Sequence, residues 1–378
     1  MIKIIHCADL HLESAFSGES IELAAKHRRE MRESFDRLVN YINENSVDIV
    51  LIAGDLFDKN KVSVEAAEFV FSRISSSGAR FFLSPGNHDY YSPDCVYGTY
   101  ELPTNLHVFD DSVLDFKECE IKGERVRVYG YAFLSHSLET PPFRGKKPIS
   151  DGAVNILLAH GNTYSSNLPD CPITLGDIRE SGFDYIALGH IHNEHEIKRE
   201  GNTYYGYSGS LEPRSIADTG ERGAFLINAE RREGRLFFER EFLPMAYRKY
   251  TKLKIDLSSL DEEKIREVIE AELSGKYSER DTLRITLVGR IAQEVRVPTE
   301  IIDSLAASSE YEIIDNTEKA ALDSELEGDP TVKGALYRLL SDKLSSEDEK
   351  ERRISALALR LALGALDGEE ITDRLEEN

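Results

Sequence analysis

Residues 48–55 read Asp-Ile-Val-Leu-Ile-Ala-Gly-Asp, five apolar residues in a row closed by Gly54-Asp55. A short run that does not alternate and is bounded by turn residues is the mark of a strand buried on both faces, as in a parallel sheet. Upstream, Lys3–Cys7 is a second short apolar run, and Ile21–Glu44 carries apolar residues at helical spacing between the two. Downstream, Val64–Ile74 repeats the helical spacing and Arg80–Leu83 is another strand. The resulting βαβαβ order predicts a parallel sheet covered by helices. Short strands with Gly and charged turns follow over Leu106–Tyr131, then buried strands at Val154–Ala159 and Tyr185–Leu188. Residues 203–243 read as a meander closing a second sheet. The expectation for 1–245 is an α/β sandwich of two sheets flanked by helices.

After Pro244 the rhythm changes. Tyr250–Leu257, Thr282–Val288 and Tyr311–Ile314 read as strands, and Asp261–Leu273 and Thr299–Ala307 as helices, which makes 246–328 a small α+β capping domain. Residues 329–378 hold two further helices, Val332–Leu344 and Glu347–Leu366. The second presents Ile354, Leu357 and Leu361 on one face, with Leu359, Leu363 and Leu366 beside it. Such a face serves an internal bundle or a partner.

The 378 residues carry 46 Lys+Arg against 69 Asp+Glu, a net charge of −23, and 40% apolar residues. That balance belongs to a globular chain and argues against a grip on nucleic acid by bulk charge. The acidity is not a tail effect: residues 1–245 carry 26 basic and 38 acidic residues, and 246–378 carry 20 and 31. No stretch approaches the ~18 apolar residues of a membrane span. The start, MIKIIHCADLHLES, lacks the apolar run of a signal peptide, so a cytoplasmic address and no membrane are expected. Cys7, Cys95, Cys119 and Cys171 show no CxxC spacing and are expected as free thiols.

Five short elements each follow a buried strand: Asp9-Leu-His11, Gly54-Asp55, Gly86-Asn87-His88-Asp89, His160-Gly161 and Gly189-His190-Ile-His192. One Asp or His at a strand end is usually a cap. Five at the carboxyl ends of strands in an open α/β sheet converge on one crevice. Asp9, His11, Asp55, Asn87, His160, His190 and His192 form a nitrogen and oxygen set without thiolates, which suits Mn²⁺, Fe or Zn²⁺ better than Ca²⁺ or Mg²⁺. Residues two apart on a strand share a face, which would bring Asp9 with His11 and His190 with His192. Seven ligands exceed one ion and fit two, with Asp55 as the bridge. The other histidines, His6, His27, His107, His136 and His195, read as structural or surface.

This pattern resembles the calcineurin-like metallophosphoesterases, whose signature D-x-H…G-D…G-N-H-[DE]…H…G-H-x-H is intact from Asp9 to His192. The resemblance implies that Asp9, His11, Asp55 and His192 hold one metal, and Asp55, Asn87, His160 and His190 the other. His88 would sit beside the phosphate and protonate the leaving oxygen, and Asp89 would orient it. Two such ions activate water, clamp phosphate oxygens and support in-line displacement. No G-x-S-x-G nucleophile and no P-loop is present.

The stretches IIHCADLHL, AGDLFDKNKVS, SPGNHDYYSP and YSGSLEPRS are similar to the SbcD branch of DNA double-strand-break repair nucleases and to the related YhaO branch. That likeness implies Mn²⁺-dependent exonuclease and endonuclease activity on DNA. It also implies a homodimer through helices at Val64–Ile74 and Ser92–Leu102, and an SbcC-like coiled-coil ATPase docking on the C-terminal helices. Lys59, Lys61, Arg144, Lys146, Lys147 and Arg214 are candidate DNA contacts, as is the helical cluster Lys26-His-Arg28-Arg29 with Arg32; the plain alternative is solvated surface charge. Two rival functions stand beside the nuclease: a phosphodiesterase or phosphatase for a small phosphorylated substrate, and a catalytically silent assembly module.

Overall fold

The computed structural model describes residues 1–164, 169–232, 235–292, 295–306, 309–319, 323–346 and 348–367. The chain divides into two compact units: Met1–Lys252 with Tyr277–Arg284 and Ser308–Tyr311, and Leu253–Lys276 with Ile285–Ala307 and Glu312–Asn378.

The first unit is built on two six-stranded sheets. In one, Ile2–Cys7 (β1), Ile49–Ile52 (β2), Arg80–Leu83 (β3) and Leu106–Val108 (β4) run parallel in that order. The other follows the order β5-β6-β7-β8-β10-β9 and comprises Asp115–Ile121 (β5), Glu124–Gly130 (β6), Val154–His160 (β7), Tyr185–Gly189 (β8), Glu196–Glu200 (β9) and Thr203–Tyr207 (β10). Its β6, β7, β8 and β10 are parallel, and β5 and β9 pair antiparallel at the two edges.

Strand period decides which residues meet. Ile2, Ile4, Ile49 and Leu51 point between the sheets and pack with Val126, Val128, Ile156 and Leu158. Their neighbours Ile5, Val50 and Ile52 point outward under Ile21–Glu44 (α1) and Val64–Ser75 (α2), against Met31, Phe35, Leu38 and Ile42 of α1 and Val70 and Ile74 of α2. The outer face of the second sheet (Tyr129, Leu157, Ile186, Leu188) is covered by Ile178 of Leu175–Ser181 (α4) and by Phe183. The long helix α1 is started by Ser20, whose hydroxyl accepts the Leu23 N–H at 3.2 Å, with Glu22 in the first turn.

Two expectations are corrected. Residues 203–243 do not form one meander. Only β10 joins the second sheet; Gly223–Arg232 (β11) and Arg235–Pro244 (β12) form a hairpin that pairs antiparallel with β1. The free edge of β1 is buried, and its backbone groups require a partner that the parallel strands β2 to β4 cannot supply. The helix expected at Ser92–Leu102 shrinks to one turn, Val96–Thr99 (α3), because Cys95 offers no side-chain cap and Tyr100 returns to extended backbone.

In the remaining chain, Lys249–Asp256 (β13), Asp281–Ile291 (β14) and Glu310–Lys319 (β15) make a three-stranded sheet, with Glu262–Leu273 (α5) and Thr299–Leu305 (α6) between them in sequence. Buried Leu283, Ile285 and Leu287 alternate along β14. Asp323–Gly328 (α7), Val332–Leu344 (α8) and Glu349–Asp367 (α9) follow. On α9, Leu359 is buried, while Ile354 and Leu361 of the apolar face are exposed. All four cysteines are free and buried. No helix among the described residues is long and apolar enough to cross a membrane.

Candidate metal centre

The carboxyl ends of β1, β2, β3, β7 and β8 deliver the seven candidate ligands to one place. His160 is the last residue of β7, and four of the others sit on strained loops rather than on strands. Asp9, His11, Asp55 and His190 have φ of 51°, 43°, 50° and 103°, a region that non-glycine residues seldom occupy and that concentrates at functional sites. The period-two expectation for Asp-x-His is therefore replaced: Asp9 and His11 converge because the chain turns after Cys7, with their N–H groups bonded to the Gly54 and Asp55 carbonyls. Glycine is required beside these residues. A Cβ on Gly54 would lie 2.2 Å from His160 Nδ1, and one on Gly86 would lie 2.2 Å from Asp55 Oδ1.

Two clusters share one oxygen. His11 Nε2 is 3.6 Å from Asp55 Oδ2 and 3.1 Å from His192 Nε2, and His192 Nε2 is 4.0 Å from Asp9 Oδ1. On the other side, His160 Nε2 is 3.5 Å from the same Asp55 Oδ2 and 2.9 Å from Asn87 Oδ1, which is 3.3 Å from His190 Nδ1.

The tautomers follow from the outward nitrogens. His160 Nδ1–H donates to the Ala53 carbonyl at 2.9 Å, and His190 Nε2–H to Asp170 Oδ2 at 3.0 Å. The inward nitrogens are then bare lone pairs facing the Asn87 oxygen, acceptor against acceptor. His11 Nδ1 is 3.2 Å from Asp58 Oδ1 without hydrogen-bond alignment, and His192 Nδ1 is 3.9 Å from Asp218. Imidazoles that turn one nitrogen to a carboxylate or carbonyl and the other inward are arranged as metal ligands.

Protons do not meet this demand. Burial holds His160 and His192 down to about 4, with the Arg214 charge adding to the effect on His192, and lowers His11 in the same way. Burial raises Asp9, and the neighbouring Asp55 carboxylate adds to it; burial raises Asp55 as well. Neutral imidazoles around two crowded, desolvated carboxylates form a receptor for divalent cations. The residues present thus fit metal, and Asp9, His11 and His192 and Asp9, Asp55 and His160 form tight ligand groups.

His88 stands at the rim with 41% of its side chain exposed, edge-on to His11 at 4.8 Å between ring centres. Asp89 does not orient it. The Asp89 carboxylate is fully buried and accepts from the N–H groups of Gly86 (2.8 Å), Leu56 (2.9 Å), Asp55 (3.2 Å) and Phe57 (3.3 Å) and from the Tyr97 hydroxyl. It therefore fastens the loop after β2 to the loop after β3. Burial beside Asp55 pushes it up to about 6. The partner of His88 is Asp58, whose carbonyl accepts from Nδ1 at 3.2 Å. Asp58 also pairs with Arg214 at 2.5 Å.

Asp58, Asp170 and Asp218 were not signalled by the sequence motifs. Each is an acidic loop residue that a fold-independent reading cannot tell from a surface charge, although Asp58 lies three residues beyond Asp55.

The cationic candidates separate. Arg214 reaches the centre and lines, with Phe16, Asp58, His192 and Tyr250, a cavity of about 590 Å³. Lys59 is exposed on the loop after Asp58, and Lys61 is exposed and paired with Asp94. Lys26, His27 and Arg32 are tied to Glu310, Glu19 and Glu13. Arg144, Lys146 and Lys147 are exposed. Arg144 is paired with Asp177 at 2.8 Å, and Lys147 lies on the segment that enters the start of β7, opposite the end that carries His160.

Residues 2–194 match the sequence pattern described as Metallophos, calcineurin-like phosphoesterase. A Bacillus subtilis (strain 168) protein named "Uncharacterized metallophosphoesterase YhaO" is 31% identical over 236 residues, covering 60% of this chain and 57% of that protein. A Methanopyrus kandleri protein named "DNA double-strand break repair protein Mre11" is 26% identical over 314 residues, 79% of this chain and 65% of its own length. The chain thus spans less than two thirds of either relative. Among solved structures, "GAP50 the anchor in the inner membrane complex of Plasmodium" aligns with a TM-score of 0.37 and 11% identity over 65% of this chain and 89% of that one, a likeness too slight to carry an argument.

Proposed function

Because the chain belongs to the calcineurin-like phosphoesterase family, we propose that it is a two-metal phosphodiesterase acting on DNA ends in repair. The observation that carries the reading is the shared Asp55 oxygen, 3.6 Å from His11 and 3.5 Å from His160, with an exposed His88 beside it. Asp9, His11, Asp55 and His192 would hold one ion and Asp55, Asn87, His160 and His190 the other. When bound, the two ions, in this reading Mn²⁺, supply an activated water and charge neutralisation at the phosphate.

The chain's own residues do the rest. His88 donates Nδ1–H to the Asp58 carbonyl, so Nε2 is the atom that gains and loses a proton, at the surface where a leaving oxygen would arrive. Arg214, held by Asp58 and 3.3 Å from the Ser14 hydroxyl, offers a guanidinium to a phosphate. Lys59 and Lys61 would meet the substrate further out.

The DNA substrate is supported by the name of the Methanopyrus relative and by the sequence likeness to the SbcD branch. In this reading 1–245 is the nuclease domain, 246–328 a capping domain and 329–378 the docking segment for an SbcC-like coiled-coil ATPase, in a cytoplasmic homodimer. Exposed Leu339, Ile354 and Leu361 support the docking role.

The test is Mn²⁺-dependent hydrolysis, side by side, of duplex DNA with free ends, single-stranded DNA and an aryl phosphodiester. Degradation of DNA from its ends is expected. Turnover of the aryl ester with DNA untouched at low salt would assign the centre to a small phosphorylated substrate instead.

A further inference from the structure

A second cavity lies at the opposite end of the second sheet. It measures about 830 Å³ and opens at the starting ends of β7, β8 and β10, lined by Lys147, Arg199, Arg231, Arg235, Asp184 and Asn155 among others. Strand β7 separates it from His160 by six residues, roughly 20 Å at ~3.3 Å per residue. It is therefore distinct from the metal centre. Its volume is within the range of pockets for small ligands, roughly 300–1,000 Å³.

The charge there runs against the rest of the molecule. Among the described residues, four cationic side chains and one carboxylate line the cavity, a local excess of three positive charges on a chain of −23. The cations come from four separate segments: the loop before β7, β9, the end of β11 and the start of β12. The fold has gathered them; no local run of basic residues accounts for the cluster.

That carboxylate is already committed. Asp184 Oδ2 accepts the Asn155 N–H at 2.8 Å, and Oδ1 pairs with Arg231. Arg199 lies over the Tyr204 ring at 5.3 Å, and Tyr204 stacks on Phe238 with ring centres 4.3 Å apart, so this cation is held on a rigid platform. Lys147 and Arg235 are exposed and form no ion pair among the described residues.

A second observation points to a ligand. Asn155 is 6% exposed and lines the cavity; its Nδ2 donates to the Ile149 and Ala153 carbonyls, and its Oδ1 has no partner among the described residues. A buried acceptor without a donor is costly unless a ligand provides one. Cations for phosphate oxygens, with one amide acceptor for an N–H group, are the complement of a nucleotide: charged at one end and N–H-bearing on its base.

We propose that this cavity is a second ligand site that takes a nucleoside phosphate through Lys147, Arg199, Arg231 and Arg235, with Asn155 Oδ1 accepting from the base. The moiety has two sources, a free nucleotide or a nucleotide unit of a DNA strand.

Calorimetric titration of the full chain in EDTA keeps the metal centre from contributing. The probes are ADP, pyrophosphate and a single-stranded 12-mer. ADP is expected to bind at least tenfold more tightly than pyrophosphate. Lys147→Ala/Arg235→Ala is expected to weaken ADP at least tenfold, with the melting temperature and Mn²⁺-dependent aryl-ester hydrolysis unchanged. A 12-mer that binds more tightly than ADP and loses affinity in the same variant assigns the site to the strand; a 12-mer indifferent to the variant assigns it to the free nucleotide. No binding of ADP or the 12-mer, equal binding of ADP and pyrophosphate, or ADP binding unaffected by the variant would overturn the proposal.

Discussion

His88 and Asp170 carry different expectations because they act at different atoms. His88 lies outside the seven-ligand set, so His88→Ala should lower phosphodiester hydrolysis by about 10²- to 10⁴-fold while the protein still binds Mn²⁺, read by kinetics and by metal titration of one sample. Asp170 accepts the outward N–H of His190. Asp170→Asn should weaken metal binding about 10- to 100-fold through the loss of that orienting charge. Asp89 is expected to act on stability: four backbone N–H groups and the Tyr97 hydroxyl converge on it, and Asp89→Ala strands them in the interior. A loss of at least about 2 kcal/mol by denaturant unfolding follows. The motif residues were readable because a metal dictates side-chain type. Asp89 was misread as a partner of His88 because adjacency in the chain says nothing of direction after a turn. Asp58 and Asp170 matter only once folding sets them against a histidine ring.

At the scale of elements, helix α1 and Glu310 meet through an ion cluster whose pH response has a determined sign. Burial alone would raise Glu310, but the hydrogen bonds from His27 and Lys26 and the charge of Arg248 overcome it and hold it near 2. Its contribution is present above the ordinary carboxylate value of about 4.5 and is lost as pH falls toward 2. Burial opposes His27 as well, yet the Glu310 hydrogen bond and the Glu19 charge raise it. Its contribution is present below about 6.5 and is lost as pH rises through the elevated value. The stability difference between the native chain and Glu310→Gln should therefore be largest between about pH 4.5 and 6.5 and shrink on both sides, measured by urea unfolding across pH. A flat difference would remove the cluster from the account. The parallel strands and α1 were legible because apolar run and helical period are local signals. The split of 203–243 between two sheets was not, since pairing with β1 is set by a buried edge some 220 residues away in sequence.

For the whole molecule, a net charge of −23 and a cation-demanding crevice coexist because salt screens surface charge beyond about 8–10 Å. Arg214, Lys59 and Lys61 leave the isolated chain about three phosphate contacts, so DNA affinity should be weak and fall with log salt at a slope of roughly −3. In the proposed centre two ions share Asp55 and act together. The direct measurement is stepwise Mn²⁺ addition to metal-stripped protein, with bound metal and phosphodiester hydrolysis followed in the same solution. Two ions per chain are expected, with activity rising as the second equivalent binds and both ions lost or weakened in Asp55→Ala. Saturation at one ion with full activity, or two ions retained in Asp55→Ala, would contradict it.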